Sequence, residues 1–65
     1  MNIVLNGNHA SVSENETLAD ILIRLGIKGP VAALLNEEVV HRADLQSVRP
    51  KEGDRVEFLV MMGGG

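Results

Sequence analysis

The stretch TLADILIRLG, residues 17–26, decides the fold because it carries the signals of a helix from its start to its end. Thr17 can cap the first turn, and Asp20 stands three residues later, where a capping box uses an acidic side chain. Gly26 supplies a C-terminal stop, and the Gly29-Pro30 pair prevents continuation. We expect one amphipathic helix of about two to three turns. Its apolar stripe has the i, i+3, i+4, i+7 spacing and consists of Leu18, Ile21, Leu22 and Leu25.

The residues before this helix predict a β-hairpin. Residues 1–6 include the β-branched Ile3 and Val4 and fit the period of a strand, with Met1, Ile3 and Leu5 on the inward face. Asn6-Gly7-Asn8 is a strong turn signal, because Asn and Gly tolerate positive φ. Residues 9–12 then form the return strand.

The residues after the helix predict three more strands. The apolar run 31–35 indicates a central strand, and a polar turn leads from it into a short strand at 39–40. Residues 41–50 show no clear period and predict an irregular crossing segment. A turn then leads into a last strand over 55–60, with Val56 and Phe58 inward. A hairpin, a helix laid across one sheet face and returning strands make an α+β roll of two layers.

Composition limits the function of so small a chain. It has 65 residues, of which 45% are hydrophobic and 23% are charged, as in folded proteins. A chain of this size buries only about 60% of its unfolded surface, so it has no room for an enclosed catalytic cleft. The absence of cysteine excludes disulfides and thiolate metal sites, and it favours a reducing, cytoplasmic location.

Charge and residue types exclude several classes of partner. The net charge is −3 with scattered charges, and Phe58 is the single aromatic residue, so we expect no nucleic-acid partner. We expect no membrane partner, since no apolar run could span a bilayer. We also expect no metal site. His9 and His41 lack ligands at suitable spacing, and we place both at the surface.

The glycine run at the end of the sequence is the candidate functional segment. We divide the chain into a folded domain, residues 1–60, and a flexible tail, residues 61–65. A glycine end alone fits a frayed terminus or an engineered linker as well as a function. Glycines can, however, thread a narrow channel, and a terminal carboxylate can attack a nucleotide α-phosphate. The resulting acyl-adenylate can accept sulfur. Gly65 could therefore carry sulfur as a thiocarboxylate, with Gly63 and Gly64 threading the active site of a partner.

Several blocks, taken in order, carry a family resemblance. They are the hairpin start, ETLADIL, VAALLNEEVVHR, KEGDRVEFLV and the glycine end. Together they resemble the ThiS sulfur carriers of thiamine biosynthesis, in the ubiquitin-like β-grasp family. The resemblance implies a β-grasp roll, in which a mixed sheet of four to five strands carries one helix across one face.

The resemblance also implies a chemical role. A ThiF-like enzyme would consume ATP to adenylate Gly65, and a sulfur donor protein would convert it to a thiocarboxylate. A ThiG-like thiazole synthase would then take the sulfur, so the chain would be no enzyme and would bind no cofactor. Gly64 and Gly65 match the family's essential glycine pair, and Gly63 is one glycine more, with a flexibility role only.

Three alternatives stay open. MoaD-like carriers of molybdopterin synthesis share this fold and tail, but they are usually longer and richer in aromatic residues where residues 59–62 stand here. A ubiquitin-like modifier would join Gly65 to a lysine by an isopeptide bond. A β-grasp interaction module would not use the tail at all.

Strand alternation predicts a partner docking face. If Ala33 and Leu35 face the helix, their neighbours in the same strand face outward. These residues could instead pack under the 41–50 segment or be scattered on the surface. As one contiguous face they would indicate a docking site. We call this predicted face the outer patch; it consists of Val4, Ala32, Leu34, Leu59 and Met61.

Overall fold

The order of helix and strands is the one that the sequence predicts. The computed structural model describes residues 1–61. Over these residues the elements are β1 (Asn2–Leu5), β2 (Asn8–Ser11), α1 (Leu18–Leu25), β3 (Val31–Leu35), β4 (Glu38–Val40) and β5 (Arg55–Val60), with a short 3-10 helix at Arg42–Asp44 before β5. No helix in this part of the chain is long and apolar enough to cross a membrane.

The strands form one mixed sheet in the order β2-β1-β5-β3-β4. The first and last strands of the chain, β1 and β5, lie side by side and run parallel, and the other neighbours are antiparallel. One face of this sheet packs on α1, which confirms the predicted α+β architecture. The shared core joins both layers and consists of Ile3, Val12, Leu18, Ile21, Ala33, Leu45, Val56 and Phe58.

The helix is capped as the sequence predicts. Thr17 Oγ1 accepts a hydrogen bond from Asp20 N at 3.1 Å, and Asp20 Oδ2 accepts one from Thr17 N at 3.0 Å. Gly26 ends the helix in the left-handed region, with φ 71°. The stripe is one residue shorter than its spacing suggests: Leu25 remains 47% exposed, whereas Leu18 and Ile21 are fully buried.

The irregular segment 41–50 supplies hydrogen-bond acceptors for the first turn of the helix. The Leu18 N–H donates to Val48 O and the Ala19 N–H donates to Leu45 O, each at 3.0 Å. The first N–H groups of a helix have no partner within it, so these two carbonyls satisfy groups that Thr17 does not reach. Leu45 and Pro50 are buried, which holds the segment against the core. The sequence predicts the irregularity but not this contact.

Candidate docking face and tail exit

The last described residue is held at one end of the sheet. Val60, the final residue of β5, pairs with Val31, and Met61 N donates to Pro30 O at 2.9 Å. The last strand therefore ends beside the first residue of β3. The predictions for Gly63, Gly64 and Gly65 lie outside the described residues and stay predictions.

The strand register places the centre of the outer patch on the sheet face opposite the helix. Ala32 pairs with Leu59, one step from the Val31–Val60 pair at which the chain leaves the sheet. The neighbours of these residues, Ala33 and Phe58, are buried in the core, so the paired side chains point the other way. Leu34, two residues along β3, lies on that same face.

The two remaining members of the outer patch lie at its ends. Val4 on β1 reaches the same face through its pairing with Arg55, and β5 separates it from Leu34. The alternation of β5, continued past Val60, puts Met61 on the side of Leu59. Leu59 is 52% exposed and Met61 58%.

Val39 also belongs to this face, although it is not among the predicted residues. It pairs with Leu34 from β4 and is 66% exposed. Its position follows from the structure: the adjacent Val40 is partly buried against the core, and alternation then turns Val39 outward.

Two charged side chains of β5 interrupt the apolar surface. Glu57 pairs with Leu34 and is half-buried, whereas Arg55 pairs with Val4 and is exposed. Beside them lies an open depression of about 300 Å³, lined by Val4, Asn6, Gly7, Arg55, Val56 and Glu57. The face is therefore apolar at both ends, with one basic and one acidic group between.

Two asparagines fix the position of β5 in the sheet. Asn6 Oδ1 accepts a hydrogen bond from Phe58 N at 2.8 Å, and Asn36 Oδ1 accepts one from Arg55 N at 2.9 Å. Asn36 Nδ2 also donates to Asp54 Oδ1 at 3.1 Å. Sequence reasoning predicts turns at both asparagines but not these contacts.

The predicted surface positions of the histidines are confirmed, since His9 and His41 are both exposed. Over residues 1–61, no group of three histidine, aspartate or glutamate side chains is arranged to hold a metal ion.

Comparison with known proteins identifies the family. The model of the ThiS family matches residues 3–65, which is nearly the whole chain and includes the glycine tail. The chain belongs to the ThiS family. This confirms the resemblance seen in the sequence.

Solved structures agree with ThiS membership. The crystal structure of the thiamine biosynthesis protein ThiS from Geobacter metallireducens is 36% identical, with a TM-score of 0.83 and full coverage of both chains. An NMR solution structure of a thiamine biosynthesis protein from the same organism is also 36% identical, with a TM-score of 0.77, covering all of this chain and 88% of that one. The likeness confirms the predicted β-grasp fold.

A curated relative places a ThiS-like segment inside a longer protein. The thiazole synthase of Paramagnetospirillum magneticum is 32% identical over 66 residues, covering all of this chain. The chain spans only 20% of that relative's length. The likeness is therefore to one segment of that relative.

Proposed function

We propose that this chain is a sulfur carrier of thiamine biosynthesis, and that Gly65 carries the sulfur as a thiocarboxylate. The observation that carries the proposal is the family match over residues 3–65, because it extends through the glycine tail and is not confined to the folded domain. A match to the fold alone would equally suit an interaction module whose tail has no role.

The chemistry takes place at one carboxylate. One oxygen of Gly65 attacks the α-phosphorus of ATP and displaces pyrophosphate, which forms an acyl-adenylate. A persulfide of the sulfur donor protein then attacks the acyl carbon and forms a C–S bond as AMP departs. A thiol cleaves the S–S bond that still joins the two proteins, so that the donor leaves as a disulfide with that thiol and the thiocarboxylate remains on Gly65. The ThiF-like adenylating enzyme consumes the ATP, so the chain needs no bound cofactor and acts as a substrate, not as an enzyme. We place this chemistry in the cytoplasm.

A ThiG-like thiazole synthase is the proposed acceptor of the sulfur. The thiazole synthase of P. magneticum supports this choice, because one fifth of its length resembles this chain. A carrier segment joined to its acceptor would meet it at a high effective concentration.

The outer patch is the proposed docking surface. The Ala32–Leu59 pair lies one register step from the point at which the chain leaves the sheet, so a partner bound there receives the tail directly. Leu59, Met61 and Val39 expose half or more of their surface, and clustered apolar exposure is typical of interaction sites. Met side chains also adapt to more than one partner surface, which suits a carrier that must meet an activating enzyme and an acceptor in turn.

Intact mass spectrometry tests this function. The chain is incubated with ATP, a ThiF-like enzyme and a sulfur donor protein, and we expect the exchange of one oxygen for sulfur at Gly65. A chain that stays unmodified, beside a cognate carrier that is modified, contradicts the proposal. Lysine-linked conjugates in cell extract would instead indicate a protein modifier.

A further inference from the structure

Glu57 holds an unusual position on the outer face. Its strand neighbours Val56 and Phe58 are buried on the helix side, so its side chain projects into the face that carries the outer patch. It lies directly across from Leu34 and is already half-buried in the free domain. Over residues 1–61, the ion pair found is the one between Arg24 Nε and Glu16 Oε2 at 3.0 Å, which involves the helix and not this face.

A partner that covers Leu34 must also remove water from Glu57. A carboxylate that loses its water without gaining a cation opposes binding strongly. Arg55, on the same face, is in a different situation. It is exposed, and its long side chain can keep the guanidinium in water at the edge of a contact. Glu57 has a shorter side chain and less exposure, and it cannot withdraw in the same way.

We infer that Glu57 pairs with an arginine or lysine side chain of the adenylating enzyme when the outer patch docks. The depression beside it, formed by Val4, Asn6 and Gly7 with β5, is open and gives room for the stem of that side chain. Arginine suits the site better, since its planar guanidinium can bind a carboxylate through two hydrogen bonds. The inference rests on the proposed function, and it makes Glu57 a determinant of which enzyme the carrier recognises.

Matched substitutions at two strand glutamates, Glu57 and Glu38, test the inference. Glu38 is a strand glutamate of the same sheet, but it pairs with Leu35, which packs on the helix side. The dissociation constant from the ThiF-like enzyme is measured for the wild type, Glu57→Gln, Glu57→Lys, Glu38→Gln and Glu38→Lys. Loading of each chain is followed by intact mass, and thermal unfolding is measured to check the fold.

We expect Glu57→Gln to weaken binding roughly tenfold or more, as when one partner of a desolvated charge pair is removed. Glu57→Lys should weaken it further, because it places two cations together. Both Glu38 variants should bind as the wild type does. The melting temperature of Glu57→Gln should equal or exceed that of the wild type, since the change removes a half-buried charge and no internal partner.

The outcomes separate this inference from the proposed function. Wild-type binding by Glu57→Gln, with the wild type loaded normally, overturns the ion pair and leaves the carrier function intact. A Glu57→Lys variant that binds no worse than Glu38→Lys overturns it as well. A wild-type chain that neither binds nor is loaded, beside an active cognate carrier, overturns both.

Discussion

Asn6 and Asn36 hold the same strand from opposite sides through the same kind of contact. Each occupies the first position of a two-residue turn, with φ of 48° and 51°, and each accepts a hydrogen bond from a backbone N–H of β5 through Oδ1. Asn6 follows β1 and Asn36 follows β3, the two neighbours of β5 in the sheet. The two turns thus fix the strand that leads to the glycine tail.

Asn6→Gly should destabilise the fold by about 1–3 kcal/mol, because the part-buried Phe58 N–H loses its acceptor. Glycine keeps the positive φ, which asparagine already tolerates, so the loss reports mainly the hydrogen bond. The free energy of unfolding in urea measures the effect. Asn6→Asp is the matched control, since it retains an oxygen at the same position and should lose less. Equal stability of the two variants would contradict this role for Asn6.

Glu37→Gly should stabilise the protein by about 0.5–1 kcal/mol, because Glu37 has φ 71° and a residue with a side chain is strained there. The turn between β3 and β4 has positive φ at both central positions, for which Asn-Gly is the preferred pair. Thermal and urea unfolding measure the gain. The same change at Glu38, the first residue of β4, should destabilise. If Glu37→Gly lowers the melting temperature, the turn is not strained as described.

Leu34→Glu should raise the KM for activation by the adenylating enzyme roughly tenfold or more, as expected when a charge is placed in the apolar centre of an interface. The fold should survive, because Leu34 lies outside the core. Ile23→Glu is the control: Ile23 lies on the helix, is 77% exposed and should not affect activation. Circular dichroism checks that both variants are folded. Unchanged activation kinetics for Leu34→Glu would exclude the outer patch as the docking site.

We expect Asp20 to make the free energy of unfolding depend on pH under acidic conditions. Hydrogen bonds from the Thr17 backbone and side chain lower the pKa of Asp20 below its ordinary value of 3.8. The ionised form is therefore favoured in the folded state. Its contribution to stability is complete above pH 3.8 and is lost as the pH falls through the lower, folded pKa.

Asp20→Asn should flatten that acid dependence, as measured by the free energy of unfolding at a series of pH values from neutral into acid. Thr17→Ala should flatten it in part, because it removes the side-chain hydrogen bond and leaves the backbone one. An acid slope for Asp20→Asn as steep as that of the wild type would assign the effect to other carboxylates.

Changes in the glycine tail should abolish loading without altering the fold. Removal of Gly65, or addition of one residue after it, displaces the carboxylate that the adenylating enzyme must activate. Gly64→Val should hinder loading by its bulk and by its restricted backbone. Intact mass measures loading, and differential scanning calorimetry measures stability. A large fall in melting temperature would mean that the tail supports the fold, and wild-type loading of Gly64→Val would contradict a narrow channel.

The local elements could be predicted because their signals lie within a few residues of one another. The Thr17–Asp20 cap, the Gly26 stop and the turn at Asn6-Gly7 each depend on neighbours at most three positions away. Alternation over β3 and β5 likewise assigns each residue to a sheet face. The outer positions of Ala32, Leu34 and Leu59 follow from this period of two.

Contacts between distant segments could not be predicted in the same way. The hydrogen bond of Asn6 to Phe58 joins residues 52 positions apart, and that of Asn36 to Arg55 spans 19. The helix N–H groups of Leu18 and Ala19 find carbonyls in a segment without any period. Such pairs depend on which strands become neighbours, and a single sequence does not encode this order in any local pattern.

The sequence by itself determined one capped helix, the strand faces and a family with a glycine tail, because capping, alternation and turn chemistry act over short distances. Only the tertiary structure decided that β5 lies between β1 and β3 in the sheet. That placement joins the outer-patch residues on one face, puts Glu57 across from Leu34, and brings Met61 to Pro30. The physical reason is that the core closes only when Val56 and Phe58 lie under the helix, and the opposite side of β5 must then face outward.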